Sequence, residues 1–191
     1  MYEVISMIVI MAVIGSILFG VSGTWPTIVA VKSESMIPNI NVGDLVFVVE
    51  KDRFGPLMTA NEAKTSGVRS FNDYGDVIIY QPNGNAKVTP IIHRILTEIN
   101  ASIATSIGFT GDAAHAGYIT KGDHNPIIDQ GNIISHIGVI QPVKREWIVG
   151  KALFAIPLIG YLSLYIREFL IIIIISILII LGTLRSKKRI E

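Results

Sequence analysis

The sequence predicts a mainly β protein, in which a single all-β domain is flanked by N-terminal and C-terminal transmembrane helices. Two long apolar runs near the ends of the chain predict the helices, and short strand-like runs between them predict the domain. Half of the 191 residues are hydrophobic, which is typical of membrane segments joined to an ordinary domain. Without the two apolar runs, about 125 residues remain, which is enough for one compact domain.

The sequence of residues 1–24 predicts an N-terminal transmembrane anchor. The stretch 4–23 is almost wholly apolar, and about 20 residues rising 1.5 Å each span the ~30 Å hydrocarbon core. A cleavable leader is the alternative, because Val-Ser-Gly at 21–23 resembles a small-residue cleavage site. The apolar stretch exceeds the about 7–15 residues of a leader's apolar region, and no Lys or Arg precedes it, so we favour an uncleaved anchor.

Residues 25–150 predict an extracytoplasmic β domain. Six runs rich in Val, Ile, Tyr and Phe are separated by turn residues, and amphipathic helical patterns are lacking between them. A long connection at 54–74 interrupts them, and its Thr-Ala-Asn-Glu has the form of a capping box, which predicts a short helix over 59–64. The six runs are TIVAVKSE, DLVFVVE, DVIIYQP, PIIHRILTEI, GYITKGD and REWIVGKALF.

The sequence predicts an interfacial amphipathic segment over residues 151–168. This stretch is apolar, and Pro157 and Gly160 interrupt it. The alternative is the first part of a longer, kinked span with Arg167 and Glu168 paired inside it. Burying those charges in lipid would be costly, so we favour a segment lying on the outer membrane surface.

The sequence predicts a C-terminal transmembrane helix over residues 169–185. It also predicts a cytoplasmic basic tail over residues 186–191. The apolar run FLIIIIISILIILGTL is followed by a cluster of cations that the positive-inside rule assigns to the cytoplasm. Two spans then leave both termini in the cytoplasm and the β domain on the other side of the membrane. Composition favours the cell membrane, and the ER membrane stays open as the alternative. The cations are Arg185, Lys187, Lys188 and Arg189.

Charge and cysteine content exclude several classes of site. The formal net charge is +1, so no strong field favours nucleic acid as a partner. The chain has no cysteine, which excludes disulfides, Cys–zinc sites and thiol nucleophiles. Metal-ligand spacings such as HExxH are also lacking, and we expect neither a metal nor another cofactor.

Ser35 is a candidate nucleophile because of its distance from the anchor. The ten residues after Trp25 reach at most about 33–36 Å when fully extended, so Ser35 lies close to the membrane surface. Pro38 and the following turn favour an extended segment that ends near the serine. A serine hydroxyl needs a base to attack at neutral pH, and without one Ser35 is an ordinary loop residue.

His93 is the best candidate base. It lies in a predicted strand, and a rigid element can hold the imidazole at hydrogen-bond distance from a nucleophile. The other histidines, which lie in loop-like contexts, are weaker candidates: His115, His124 and His136. Two carboxylates, Asp123 and Asp129, follow in YITKGDHNPIIDQG, and either could orient the imidazole, although both also suit turns.

The ordered set of motifs resembles the type I signal peptidases, specifically the archaeal and ER-type branch, over roughly residues 4–165. The anchor is followed by SESMIP, GDLVFV, GDVIIYQ, PIIHRIL, YITKGDHNPIID and WIVGKALFAIPLIGYLS. The resemblance implies that Ser35 is the nucleophile and that Ser33 supports the oxyanion. It also implies that His93 is the base, where the bacterial branch has lysine.

The resemblance further implies that Asp129 is the functional carboxylate and that Asp123 supports it. Lys87 lies six residues before His93 and is not at the catalytic position. One departure is visible, since the family's Ser-Gly-Ser-Met reads Ser-Glu-Ser-Met here. Glycine permits a close backbone approach, so we expect Glu34 to keep an ordinary β-region backbone with its carboxylate directed away from the oxyanion.

The function that the resemblance implies is a membrane-bound serine endopeptidase that removes N-terminal signal peptides from exported preproteins after small residues. Its implied partners are signal-peptide-bearing preproteins and membrane lipid, with the secretion translocon as a further candidate. The substrate would pair with a strand edge at residues 28–32 or 87–91. Two alternatives stay open: a membrane-tethered, non-catalytic β domain that binds exported chains, and a self-cleaving repressor-type serine protease.

Overall fold

The computed structural model describes residues 2–187, and side chains over residues 2–180. Within this part of the chain the helices are α1 Tyr2–Ser22, α2 Ala60–Ser66, α3 Ala101–Ser106, α4 Gly160–Leu164 and α5 Ile166–Lys187. The strands are β1 Ile28–Ala30, β2 Leu45–Val49, β3 Val77–Tyr80, β4 Ile91–Ile99, β5 Gly117–Lys121, β6 Ile133–Ile134, β7 Gly138–Val139 and β8 Ile148–Ile156.

Six of the strands form one sheet in the order β1-β2-β8-β3-β4-β5, and every neighbouring pair is antiparallel. Each of the six sequence runs predicted as strands supplies one of these six strands, so the mainly β prediction is confirmed. Strands β6 and β7 form a separate two-stranded hairpin.

The sheet is buried on both faces at its centre, as the unbroken apolar run of β3 indicates. Val77 and Ile79 pack on one side with Met36 and other aliphatic residues from the first third of the chain. Ile78 and Tyr80 point to the opposite side, where a second apolar cluster includes Tyr118. The side chains of β3 therefore contribute to two cores.

The long connection before β3 is held by one helix cap and one buried ion pair. The Thr59 side chain accepts a hydrogen bond from Glu62 N while the Glu62 carboxylate accepts one from Thr59 N, which confirms the predicted capping box. Hydrogen bonds from Thr59 lower the pKa of Glu62. Lys151 of β8 contacts Gly55 O at 3.2 Å and Asp76 Oδ2 at 3.5 Å, which fixes the connection to the sheet.

The C-terminal end of the domain differs from the predicted boundary. β8 continues to Ile156, so residues 151–156, predicted to lie outside the β domain at the membrane surface, are instead part of the sheet. This stretch pairs with β2 through its backbone. Its side chains also pack on β2, where the rings of Phe154 and Phe47 stack with their centroids 5.2 Å apart. The sequence runs are continuous across residue 150, which is why composition alone misplaced the boundary.

The helix α5 begins at Ile166, three residues earlier than the predicted span of 169–185, and Arg167 and Glu168 lie in its first turn, paired at 3.1 Å. The predicted basic tail at 186–191 lies outside the described side chains. Most apolar side chains of α5 up to Ile180 are exposed.

The N-terminal helix α1 is long and apolar enough to cross a membrane, on length and composition alone. Its last turn is attached to the sheet domain by hydrogen bonds: Glu50 N donates to Ser22 O at 2.7 Å, and Arg53 Nη2 donates to Gly20 O at 2.5 Å. Thr24 Oγ1 then donates to Val149 O of β8 at 2.9 Å. The helix end and the domain are therefore directly connected.

Candidate active site

Ser35 lies in a turn that directly follows the extended segment after β1. Ile37 N donates to Glu34 O at 3.1 Å and Ile40 N donates to Met36 O at 3.0 Å, which closes the turn. Met36 and Ile40 are fully buried in the apolar core, so the turn is anchored from beneath. Ser35 is left half-buried at the surface of the sheet domain.

His93 is held by the register of the central strands. It lies opposite Ile78 of β3 and is 7% exposed, and the residues on the same face of β4 are the apolar Ile91 and Ile95. Because side chains opposite each other point to the same face of a sheet, His93 shares its face with Ile78 and Tyr80. A strand residue of this kind has little rotational freedom, which suits a group that must keep a fixed distance from its partner.

The two side chains meet, and a carboxylate completes the arrangement. His93 Nε2 lies 2.9 Å from Ser35 Oγ, and His93 Nδ1 lies 2.6 Å from Asp129 Oδ2. A carboxylate accepts the proton on Nδ1, which leaves the lone pair of Nε2 facing the serine hydroxyl. This tautomer can remove the proton of Ser35, so the arrangement is suited to nucleophilic catalysis.

Asp129 Oδ2 accepts from two further donors inside the domain. The Tyr80 hydroxyl donates at 2.9 Å and the Thr120 hydroxyl at 2.6 Å. Burial, followed by the nearby Asp129 charge, raises the pKa of Tyr80 well above its usual range, so the phenol stays protonated. Both Tyr80 and Thr120 are 0% exposed, so these hydrogen bonds are shielded from water.

Asp123 lies in the same loop but has a different partner. Its carboxylate accepts from Arg94 Nε at 2.8 Å and Nη2 at 2.6 Å, a bidentate ion pair. Asn39 Nδ2 also donates to Asp123 Oδ2 at 2.8 Å. The carboxylate on His93 is therefore that of Asp129, whereas Asp123 joins β4 to the turn that carries Ser35.

The turn after β5 also contacts the Ser35 backbone. His124 N donates to Ser35 O at 2.9 Å, so the histidine takes part through its main chain. A Cβ atom on Gly122 would lie 2.5 Å from Ser35 O and 2.8 Å from His93 Nε2. Only a glycine lets this turn approach the Ser35–His93 pair so closely.

Ser33 and Glu34 differ in their relation to the site. Ser33 Oγ lies 3.2 Å from Ser35 Oγ, whereas Glu34 is exposed. The φ angle of Glu34 lies outside the left-handed region, because the residues with positive φ do not include it. A side chain at this position therefore causes no left-handed backbone strain, whereas the expected β-region backbone and the direction of the carboxylate stay predictions.

A largely apolar cavity of about 610 Å³ adjoins Ser35 and His93. One wall is formed by residues 29–33, and the other by residues 89–93. These segments overlap the two strand edges predicted to bind substrate, and both face the same space. β1 pairs with β2 alone in the described sheet order, so its outer edge is unpaired within that sheet.

His115 and His136, the weaker candidate bases, have other contacts or conformations in the domain. His115 contacts Gln141 and lies edge-on to Trp147, away from Ser35, and His136 has a positive φ. In residues 2–180, no group of three acidic, histidine or cysteine side chains could hold a metal ion.

Sequence reasoning missed Tyr80, Thr120, Arg94 and Asn39. Tyr80 and Thr120 read as ordinary strand residues, and their relation to His93 depends on strand pairing. A period-2 alternation places His93 and Ile95 on one face of β4, but it does not indicate which residues of β3 and β5 lie opposite them.

Comparison with curated proteins gives several relatives, although no family model matches the chain. The chain is 31% identical over 157 residues to the signal peptidase complex catalytic subunit SEC11 of Schizophyllum commune, covering 78% of this chain and 69% of the relative. SEC11 of Debaryomyces hansenii is 28% identical over 141 residues and SEC11 of Saccharomyces cerevisiae 31% over 143 residues. Each of these two alignments covers 74% of this chain and 66% of the relative.

Proposed function

Because the chain belongs to the signal peptidase family of the SEC11 catalytic subunits, we propose that it is a membrane-bound serine endopeptidase that removes N-terminal signal peptides from exported preproteins. These relatives confirm the resemblance to the archaeal and ER-type signal peptidases. The single observation that carries the proposal is the Ser35–His93–Asp129 arrangement, with contacts of 2.9 and 2.6 Å.

In the first half of the reaction, Ser35 Oγ attacks the carbonyl carbon of the scissile peptide bond while His93 Nε2 takes the hydroxyl proton. The tetrahedral intermediate collapses as its C–N bond breaks, and His93 gives the proton to the leaving amine. The new N-terminus of the mature protein departs, and the signal peptide remains bound to Ser35 as an ester.

In the second half, water replaces the departed amine. His93 takes a proton from this water, and the hydroxide oxygen attacks the ester carbonyl. The C–O bond to Ser35 then breaks and the proton returns to the serine oxygen, which regenerates the free enzyme and releases the signal peptide. Asp129 stabilises the imidazolium that forms in each half, without itself becoming protonated.

The oxyanion of both intermediates is stabilised by the Ser35 N–H and the Ser33 hydroxyl. Within residues 2–180 the Ser35 N–H donates to no protein acceptor, and Ser33 Oγ lies 3.2 Å from Ser35 Oγ. Donors at these two positions support a two-point oxyanion site, in which one donor is typically worth about 2.7–4 kcal/mol in the transition state.

The substrate binds as an extended strand in the cavity beside Ser35. The unpaired edge of β1 offers backbone groups for hydrogen bonds, and the walls at 29–33 and 89–93 offer apolar contacts. Branched side chains such as Val29 and Ile91 line the cavity beside Ser35, and we expect them to favour small residues before the cleaved bond.

The membrane arrangement forms part of the proposal. Residues 1–24 anchor the chain, the β domain from residue 25 lies on the extracytoplasmic side, and α5 returns the chain through the bilayer with both termini in the cytoplasm. The apolar surfaces of α1 and α5 support contact with lipid. The relatives are called subunits of a signal peptidase complex, which supports assembly with further subunits and with the translocon.

The function is tested with the full chain purified in detergent and a preprotein that carries an extracytoplasmic signal peptide. We expect release of the mature protein, detected by its new N-terminal sequence, and covalent labelling of Ser35 by a serine-acylating probe. Capture of the preprotein without cleavage or labelling would instead indicate a binding domain. Cleavage of the chain itself, with the preprotein left intact, would indicate a repressor-type protease.

Gly122→Ala is expected to lower kcat/KM by about 100-fold or more, since a 1 Å misplacement of reacting groups can cost this much. The added methyl group would press on Ser35 O and His93 Nε2, so the hydroxyl and the imidazole must separate. Kinetics with the preprotein measure the loss. Gly15→Ala in α1 is the matched control, because it adds the same methyl group where nothing lies within 4 Å of the Cβ position and the glycine has no positive φ. Equal activities of the two variants would contradict the steric argument.

A further inference from the structure

Three hydrogen-bond donors converge on one oxygen of Asp129. His93 Nδ1 lies 2.6 Å from Oδ2, the Thr120 hydroxyl 2.6 Å and the Tyr80 hydroxyl 2.9 Å. The reaction proposed above uses only the first of these contacts. The other two come from fully buried side chains that do not line the substrate cavity within the described residues.

Strand pairing brings these donors together. Ile91 of β4 lies opposite Tyr80 of β3, and Ile95 lies opposite Thr120 of β5. Because alternate residues of β4 share a face, Tyr80, His93 and Thr120 project from three adjacent strands to the same side. Asp129 N donates to Thr120 O at 2.9 Å, which holds the carboxylate over this row.

The Thr120 and Tyr80 hydroxyls both direct their hydrogens to Asp129. Gln130 Nε2 donates to Thr120 Oγ1 at 3.1 Å, and of the two acceptors within reach of the Thr120 hydroxyl, Asp129 Oδ2 at 2.6 Å is closer than the Tyr80 oxygen at 3.3 Å. A carboxylate only accepts hydrogen bonds, so the Tyr80 phenol is the donor in its contact with Asp129. Burial, followed by the Asp129 charge, raises the pKa of Tyr80, which keeps the phenol protonated as a donor.

We propose that Tyr80 is a positioning residue of the cleavage site, which together with Thr120 fixes Asp129 on His93 and sets the pH at which His93 becomes an active base. This inference rests on the proposed function. Tyr80 acts through Asp129 and does not touch the substrate.

The physical basis is the sharing of one negative charge among three donors. Each hydrogen bond to the carboxylate disperses its charge and weakens its attraction for the imidazolium. Removal of the phenol therefore leaves more negative charge facing Nδ1, which favours the protonated imidazole. His93 then loses its proton at higher pH, and the acid limb of the activity profile must move to higher pH.

Other charged groups lie near the pair, and among the described residues none of them forms a hydrogen bond with the Tyr80 hydroxyl. Arg94 is neutralised by Asp123, and Lys151 of β8 by Asp76. The charged or titratable residues that complete the surroundings are Lys121 of β5, His124 of the following turn, and Lys32 and Glu34 beside Ser35. Their contributions cancel when variants at Tyr80 are compared with the parent protein.

The test is Tyr80→Phe, which removes only the hydroxyl and keeps the ring in the core. We expect kcat to fall about tenfold, as for groups that orient a catalytic side chain, with KM unchanged because Tyr80 lies outside the cavity. The midpoint of the acid limb of kcat/KM should rise by about 0.5–1 pH unit. Thr120→Val should move it in the same direction.

Tyr118→Phe is the matched control, because this hydroxyl lies on β5 of the same sheet, accepts from Arg145 at 3.3 Å and does not contact Asp129. Its acid limb should not move. An equal shift in Tyr80→Phe and Tyr118→Phe, or a shift of Tyr80→Phe to lower pH, would overturn the inference.

A second measurement separates this inference from the proposed function. NMR titration of the His93 ring, assigned with His93→Gln, reports its protonation in the full chain without any substrate. A higher titration midpoint in Tyr80→Phe supports the positioning role even if no preprotein is cleaved, in which case the proposed function alone fails. An unchanged midpoint overturns the role of Tyr80 even in an active peptidase.

Discussion

Alanine at position 35 is expected to reduce preprotein cleavage by more than about 10⁴-fold while leaving the domain folded. Ser35 Oγ is the hydroxyl that His93 Nε2 contacts, so without it the base has no proton to take. The side chain is half-buried at the domain surface, and its removal opens no cavity in the core. Cleavage is measured by the appearance of the mature N-terminus. Folding is measured by thermal unfolding of the variant in detergent.

Ser33→Ala is the matched control, since it removes the same group two residues away. Its loss should be smaller, about 10²–10³-fold in kcat, because it removes one oxyanion donor and retains the nucleophile. Labelling by an acylating probe should persist in Ser33→Ala and disappear in Ser35→Ala. If a variant that lacks Ser35 still cleaved the preprotein and were still labelled, the nucleophile would have to be another residue.

Asp129→Asn is expected to lower kcat by about 10⁴-fold with little change in KM. An amide NH₂ facing His93 Nδ1 favours the tautomer with its proton on Nε2, which cannot accept a proton from Ser35. Because Tyr80 and Thr120 contact the same Oδ2 position, their hydroxyl oxygens then face this NH₂ and accept its second hydrogen, which keeps a hydrogen bond at the buried position. Single-turnover kinetics with the preprotein isolate the acylation step that should slow.

Asp123→Asn tests whether Asp123 orients His93 or only stabilises the loop after β5. Arg94 is 2% exposed and would lose the charge that neutralises it, so we expect the free energy of unfolding to fall by about 3 kcal/mol. The protein that remains folded should keep a kcat within about tenfold of the parent. Should Asp123→Asn lose activity at unchanged stability while Asp129→Asn stays active, the two aspartates would have to exchange roles.

Much of this organisation was predictable because it depends on local patterns. The strands follow from β-branched runs between turn residues, and α2 follows from the Thr59–Glu62 capping box. Ser35 and His93 were identified by their contexts and by the family resemblance. Glu34 could be expected to fit, because an ordinary negative φ accommodates any side chain.

Other features depend on pairing between distant segments and were therefore not available from local patterns. Asp123 and Asp129 both follow β5, and only the fold brings one to Arg94 and the other to His93. The contribution of Tyr80 requires the register of β3 against β4. The C-terminal limit of the sheet was missed because residues 151–156 have the composition of either a strand or a membrane-surface segment.

The place of β8 in the sheet has a consequence for biosynthesis. The strand is last in the chain, yet it pairs with β2 on one side and β3 on the other. It therefore unites the part of the sheet next to Ser35 with the part that carries His93. A nascent chain emerging from the ribosome cannot complete this sheet until residues 148–156 have been made. The two parts of the sheet that bring Ser35 and His93 together are therefore joined only after nearly the whole domain has been synthesised.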